Sequence, residues 1–141
     1  MRILLDTNVL LNTFLPNSAN FWIWEALLNE ELTLCVTSDI LLEYEEIVQR
    51  FYGSTQLADY VIDAILALPN LVVKNNTFFW RLIPNDEEDE KFADCYVAAN
   101  AFCIITKDKH FRVLKENKFP PFKIFTPQEF KAIYEAHKTP S

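Results

Sequence analysis

A three-layer α/β domain with a central parallel sheet of about five strands is the fold class this sequence predicts. Short apolar runs rich in β-formers recur at 2–6, 32–37, 71–74, 102–106 and around 121–126. Segments with apolar residues at helical spacing separate them, and strands alternating with helices pair in parallel and are covered on both faces. With 141 residues, half of them hydrophobic, the chain suffices for a single domain over 1–141 with a sizeable core. No internal repeat or linker interrupts it.

RILLD opens the chain as a buried first strand ending in an acid. Asn20 or Ser18 is placed to cap a helix over 20–29, where Phe21, Trp24, Leu27 and Leu28 recur at helical spacing. LTLCVT is the second strand. Ser38 then caps a helix to about Phe51, built on Leu41, Leu42, Tyr44, Ile47 and Val48. Gly53 and Ser54 break it, and another helix spans about 55–67 until Pro69-Asn70. LVVK is the third strand. A loop with Phe78, Phe79 and Trp80 leads to an acidic stretch, NDEEDEKFAD, that opens a helix reaching about Asn100. FCIIT is the fourth strand, KDKHF turns into a short helix near 111–116, and FKIFT is the fifth strand. Thr126 with Glu129 forms a capping box, Pro127 takes the first helical position, and a last helix runs to about 137.

Composition narrows the chemistry. A formal net charge of −7 argues against coating nucleic acid by bulk positive charge, though not against a nuclease whose acids hold metal. Gly53 is the only glycine, which removes dinucleotide folds and phosphate-cradling loops. Only His110 and His137 are available, too few for a two-histidine metal motif. Cys35, Cys95 and Cys103 are odd in number in apolar surroundings, as expected of reduced core thiols. No apolar run reaches the roughly 18 residues of a membrane span, and MRILLD meets an acid too soon for a signal peptide. A cytoplasmic protein without a membrane partner is the expectation, with chemistry resting on carboxylates.

The predicted sheet gathers those carboxylates. Ligands of such sheets collect outside the carboxyl ends of the strands. Asp6 closes the first strand, Asp108 follows the fourth, Glu43 lies early in the helix after the second, and the acidic stretch opens the helix before the fourth. Clustered carboxylates resist ionising together, and a divalent cation offsets that repulsion. Mg²⁺ and Mn²⁺ favour oxygen ligands, and either would activate water and stabilise charge on a phosphoryl group.

Four segments, LLDTNVLLN (4–12), SDILLEYEEIV (38–48), DEKFADCYVAANA (89–101) and IITKDKHF (104–111), together resemble a PIN-domain nuclease. Their order and spacing are similar to the toxin-type branch of bacterial toxin–antitoxin pairs. The resemblance implies a parallel sheet, an endoribonuclease dependent on Mg²⁺ or Mn²⁺ that leaves a 5′-phosphate, and a cognate antitoxin. It carries the family's first acid onto Asp6, the second onto Glu43 and the last onto Asp108. Two registers compete for the third. With Phe92 in the family's apolar position the acid is Asp89; with Val97 there it is Asp94. Asp89 and Asp94 lie about 140° apart around a helix, whereas Glu90 and Asp94 share a face. We place Asp94 in the pocket, beside Asp6, Glu43 and Asp108, with Asp89 as an N-cap or a further metal ligand.

Other residues fill in the surroundings. Thr7 and Asn8 are placed to position Asp6 or a ligand, and Asn8, Thr106, Lys107, Lys109 and Arg112 are the candidate substrate contacts, the last three supplying charge for an RNA backbone. Trp22 and Trp24 are candidates for a homodimer or antitoxin contact. Phe78, Phe79 and Trp80 suit core packing better than base stacking, and Asp86, Glu87 and Glu88 read as solvated. Two alternatives remain: a non-catalytic PIN fold that only binds RNA or protein, and another Mg²⁺-dependent phosphoryl-transfer domain. The second is weakened because a haloacid-type phosphatase wants Asp where Asn8 stands, and a receiver wants an Asp that LVVKNN lacks.

Overall fold

The computed structural model describes residues 1–75, 87–116 and 121–138, with only the backbone of 87–89 and 112. Five strands form one parallel sheet in the order β3-β2-β1-β4-β5. They are β1 (Arg2–Leu5), β2 (Thr33–Val36), β3 (Val72–Val73), β4 (Cys103–Ile105) and β5 (Ile124–Phe125). The helices are α1 (Thr7–Leu10), α2 (Phe21–Leu28), α3 (Ser38–Tyr52), α4 (Thr55–Leu66), α5 (Glu87–Ala98) and α6 (Pro127–Lys138). A 3-10 helix covers Lys109–Glu116. The predicted fold class holds. The strand order reverses between β1 and β4, and in open α/β sheets that reversal opens a crevice at the carboxyl ends of the two strands.

Burial follows the parallel arrangement. Ile3, Leu4 and Leu5 of β1 and Cys103, Ile104 and Ile105 of β4 are inaccessible to solvent, so both faces of the central strands are covered. The three cysteines are free and buried, as expected. Burial pushes the Cys35 thiol up to about 11 and those of Cys95 and Cys103 up to about 12.

Several local expectations are corrected. Thr37, not Ser38, caps α3: its hydroxyl accepts the Ile40 N–H at 3.2 Å, and Ser38 is the first helical residue. Asn20 precedes α2 but its carboxamide makes no capping bond, while Ser18 Oγ accepts the Asn20 N–H at 3.1 Å. The buried face of α2 is Ile23, Ala26 and Leu27, leaving Leu28 exposed. On α3 the inward residues are Ile40, Tyr44 and Val48, and Leu42 is exposed. Helix α1, a single turn directly after β1, was not expected, because four residues carry no periodicity to read. The capping box at α6 stands as read: the Thr126 N–H donates to Glu129 Oε1 at 2.8 Å, and the Glu129 N–H to Thr126 Oγ1 at 3.2 Å. Phe78, Phe79, Trp80 and Asp86 lie outside the described residues.

Candidate active site

Helix α1 begins at once after β1, so the chain turns sharply at Asp6. Its backbone N–H reaches across to the Ile105 carbonyl at 3.0 Å, extending the β1–β4 pairing one residue past the strands. The carboxylate of Asp6, 5% exposed, is thereby held at the crevice. Thr106 Oγ1 donates to Asp6 Oδ2 at 2.8 Å and accepts the Asp108 N–H at 2.9 Å. Asp108 is turned back on its own loop, where Oδ1 accepts the His110 N–H at 2.9 Å and lies 3.5 Å from His110 Nδ1.

Glu43 comes from the second turn of α3, on the same side of the sheet. Thr7 Oγ1 donates to its Oε2, and Lys91 Nζ of α5 lies 2.7 Å from its Oε1. The next residue, Tyr44, is fully buried and its hydroxyl donates to the Leu5 carbonyl, tying α3 to the end of β1. The crevice is strongly acidic as a result. Burial pushes the Asp6 carboxyl up from 3.8 to about 6; hydrogen bonds from Thr106 and the Thr7 backbone oppose this, and the Asp108 and Glu43 charges add to it.

Helix α5 packs on β1, β2, β4 and α3. Glu90 and Asp94 share its buried face, 6% and 1% exposed, as their four-residue spacing predicts. Glu90 Oε1 is buried with no hydrogen-bond partner among the described residues. The structure therefore brings Glu43 and Asp108 into electrostatic range of Asp6 and turns Glu90 and Asp94 inward from α5. Asn8, Lys107 and Lys109 stand exposed on the rim, and Thr106 is buried beneath them. The side chains of Asp89 and Arg112 lie outside the described residues. Trp22, expected at a partner contact, is half-buried and stacks on Phe130, with ring centroids 6.0 Å apart.

Lys91 is the participant that sequence reasoning passed over. It is the one cation within NDEEDEKFAD, and nothing in that local pattern separates it from a solvated charge. Among the described residues no three His, Cys, Asp or Glu side chains are grouped closely enough to hold a metal ion as they stand. No helix of the described residues is long and apolar enough to cross a membrane.

A parallel sheet in the order 3-2-1-4-5, with acids just past the carboxyl ends of β1 and β4, defines an α/β protein with an acidic crevice at the strand-order reversal. The chain belongs to the PIN-domain family, whose model matches residues 2–110. Comparison with curated proteins finds no match. Among solved structures the chain is similar to VapBC2 from Rickettsia felis bound to a DNA fragment from their promoter. The TM-score is 0.62 at 17% identity, over 89% of this chain and 98% of that one. At that identity the likeness is one of fold.

Proposed function

We propose that this protein is a metal-dependent endoribonuclease hydrolysing RNA phosphodiester bonds, and that it is the cytoplasmic toxin of a toxin–antitoxin pair. One observation carries the reading: Thr106 ties Asp6 to the start of the Asp108 loop, with Glu43 in electrostatic range, at the point where a parallel sheet opens a crevice. Membership of the PIN-domain family, generally nucleases using divalent ions, supports it. The likeness to VapBC2, a complex, supports a cognate antitoxin as partner, and a homodimer belongs to the same reading.

The donors fit a hard cation. They are carboxylate oxygens throughout, and the buried Glu90 Oε1 has no partner among the described residues, a place that a cation would fill. Asp6, Asp108 and the acids of α5 (Asp94, Asp89 or Glu90) are the residues that would hold Mg²⁺ or Mn²⁺. When bound, the ion would offset carboxylate repulsion, activate water and stabilise charge on the phosphoryl oxygens. Thr106 orients Asp6, and Asp6 serves once ionised. Glu43, held by Thr7 and paired with Lys91, completes the catalytic set. Lys107, Lys109 and Arg112 hold the RNA backbone from the rim, and Asn8 offers a further polar contact.

A second reading, a PIN fold that binds RNA or protein without cleaving it, is favoured by the Lys91–Glu43 pair, in which a cation already sits on one of the acids. RNA cleavage by purified protein with Mn²⁺ or with EDTA, beside Asp6→Asn, separates the two. Cleavage that requires Mn²⁺ and disappears in the variant is expected. Equal cleavage by variant and wild type, or none with any divalent ion, would sink the catalytic reading.

A further inference from the structure

Beside the acidic crevice, between the start of α2 and the start of α6, lies a second cleft of about 630 Å³. Among the described residues no acidic side chain lines it, although the chain carries a net charge of −7. Lys107 enters from the β4 loop and Lys131 from the first turns of α6. The amino end of this 12-residue helix faces the cleft through Pro127 and Gln128. Pro127 has no N–H and the Glu129 N–H is taken by Thr126, which leaves the Gln128 N–H as the first-turn donor available to an anion.

An independent observation points to a ligand here. Asn20 lines the cleft and is only 9% exposed, yet its carboxamide makes no capping bond and no other hydrogen bond among the described residues. The residue is packed while its amide group is open to the cleft, and that donor–acceptor pair is what a nucleobase edge satisfies. Trp22 in the wall is held by Phe130 and Tyr134, with centroids 6.0 and 5.1 Å away, so the wall is rigid. Lys107 and Thr126 also line the smaller recess that contains Asp108, so the two adjoin.

We propose that this cleft binds single-stranded RNA adjoining the scissile phosphate, with Lys107, Lys131 and the α6 amino end holding a backbone phosphate and Asn20 contacting a base edge. The inference rests on the ribonuclease reading of the neighbouring crevice and states where the substrate extends. RNA rather than an acidic peptide is favoured, because Lys107 and Thr126 also line the recess of Asp108, where the ribonuclease reading places a phosphodiester.

The test reads binding, not cleavage. Full-length protein in EDTA is titrated against a short fluorescein-labelled single-stranded RNA, followed by anisotropy at several salt concentrations. Lys131→Glu and Asn20→Ala are compared with Lys123→Glu, an equal charge change at the start of β5. Among the described residues neither Lys131 nor the Asn20 side chain holds a bond, so folding is expected to be retained, and circular dichroism verifies it. Lys131→Glu is expected to weaken binding about tenfold and flatten the salt dependence, with Lys123→Glu close to wild type. Asn20→Ala is expected to weaken binding for some base identities and not others. Equal losses in the two lysine variants would reduce the effect to bulk charge and overturn the proposal. So would absence of RNA binding, or tighter binding of an oligoglutamate peptide lost in the same variants. Failure of Mn²⁺-dependent cleavage with this binding pattern intact would count against the hydrolytic reading alone.

Discussion

The hydroxyl of Thr106 stands between two acids, donating to Asp6 Oδ2 at 2.8 Å and accepting the Asp108 N–H at 2.9 Å. One side chain, 3% exposed, thus couples the residue after β1 to the loop after β4. Because a valine keeps the shape and removes both bonds, Thr106→Val leaves a buried carboxylate oxygen and an amide unmatched, at a cost of about 1–3 kcal/mol. Urea unfolding measures that loss. Mn²⁺-dependent RNA cleavage should fall with RNA affinity unchanged, and Thr106→Ser should restore both properties.

Asp6 makes stability depend on pH. Its carboxyl sits at about 6 in the fold against 3.8 for the free group, chiefly because it is buried. Below about pH 4 the group is protonated in both states and costs nothing. Between about 4 and 6 the folded chain holds the proton that the unfolded chain has released, so stability falls as pH rises, by about 3 kcal/mol in all. In EDTA, Asp6→Asn should therefore melt above wild type at pH 7.5 and near it at pH 4. Added Mn²⁺ should raise the wild-type Tm at pH 7.5 and leave the variant unmoved. A wild-type Tm that is flat from pH 4 to 7 would contradict the burial argument.

Lys91 neutralises Glu43 from 2.7 Å, with both side chains about one-fifth exposed. Lys91→Met removes a positive charge from the crevice while retaining the aliphatic stem that packs there. The expected outcome is tighter Mn²⁺ binding by calorimetry, since a competing cation is gone, together with a stability loss of about 1 kcal/mol in EDTA. Weaker Mn²⁺ binding would mean that Lys91 supports the acids and does not compete with a metal.

Gly53 ends α3 in the left-handed region at φ 63°, and a Cβ built there would meet nothing within 4 Å. The penalty of Gly53→Ala is thus conformational, about 1 kcal/mol by denaturant unfolding, and Gly53→Asn should cost less. A larger loss would reveal a contact that the free space around this position does not predict.

Much of the fold was legible in the chain. Strand and helix order followed from apolar runs and their periodicity, and the capping box at Thr126 and Glu129 announced itself because both partners lie within four residues. Asp6, Glu43 and Asp108 could be nominated because each follows a strand, and parallel pairing sends all strand ends one way. Among the acids of α5, spacing set Glu90 and Asp94 on one face and favoured Asp94, but could not say where that face points. Two registers fit the same letters, and only helix rotation against the sheet turned Glu90 and Asp94 inward.

Tertiary structure alone decided the rest. The Thr106–Asp6 bond spans 100 residues and the Tyr44–Leu5 bond 39, so no local pattern encodes either. Lys91 reads as a solvated charge until α5 is docked on α3 and its ammonium meets Glu43. Asn20 reads as a helix cap, yet the packed loop gives that work to no side chain and leaves its carboxamide facing a cleft. Periodicity reports which face of an element seeks the core, and that is a property of a few neighbouring residues. Which polar atoms then meet depends on how the elements cross, and that is settled only when the whole sheet has formed.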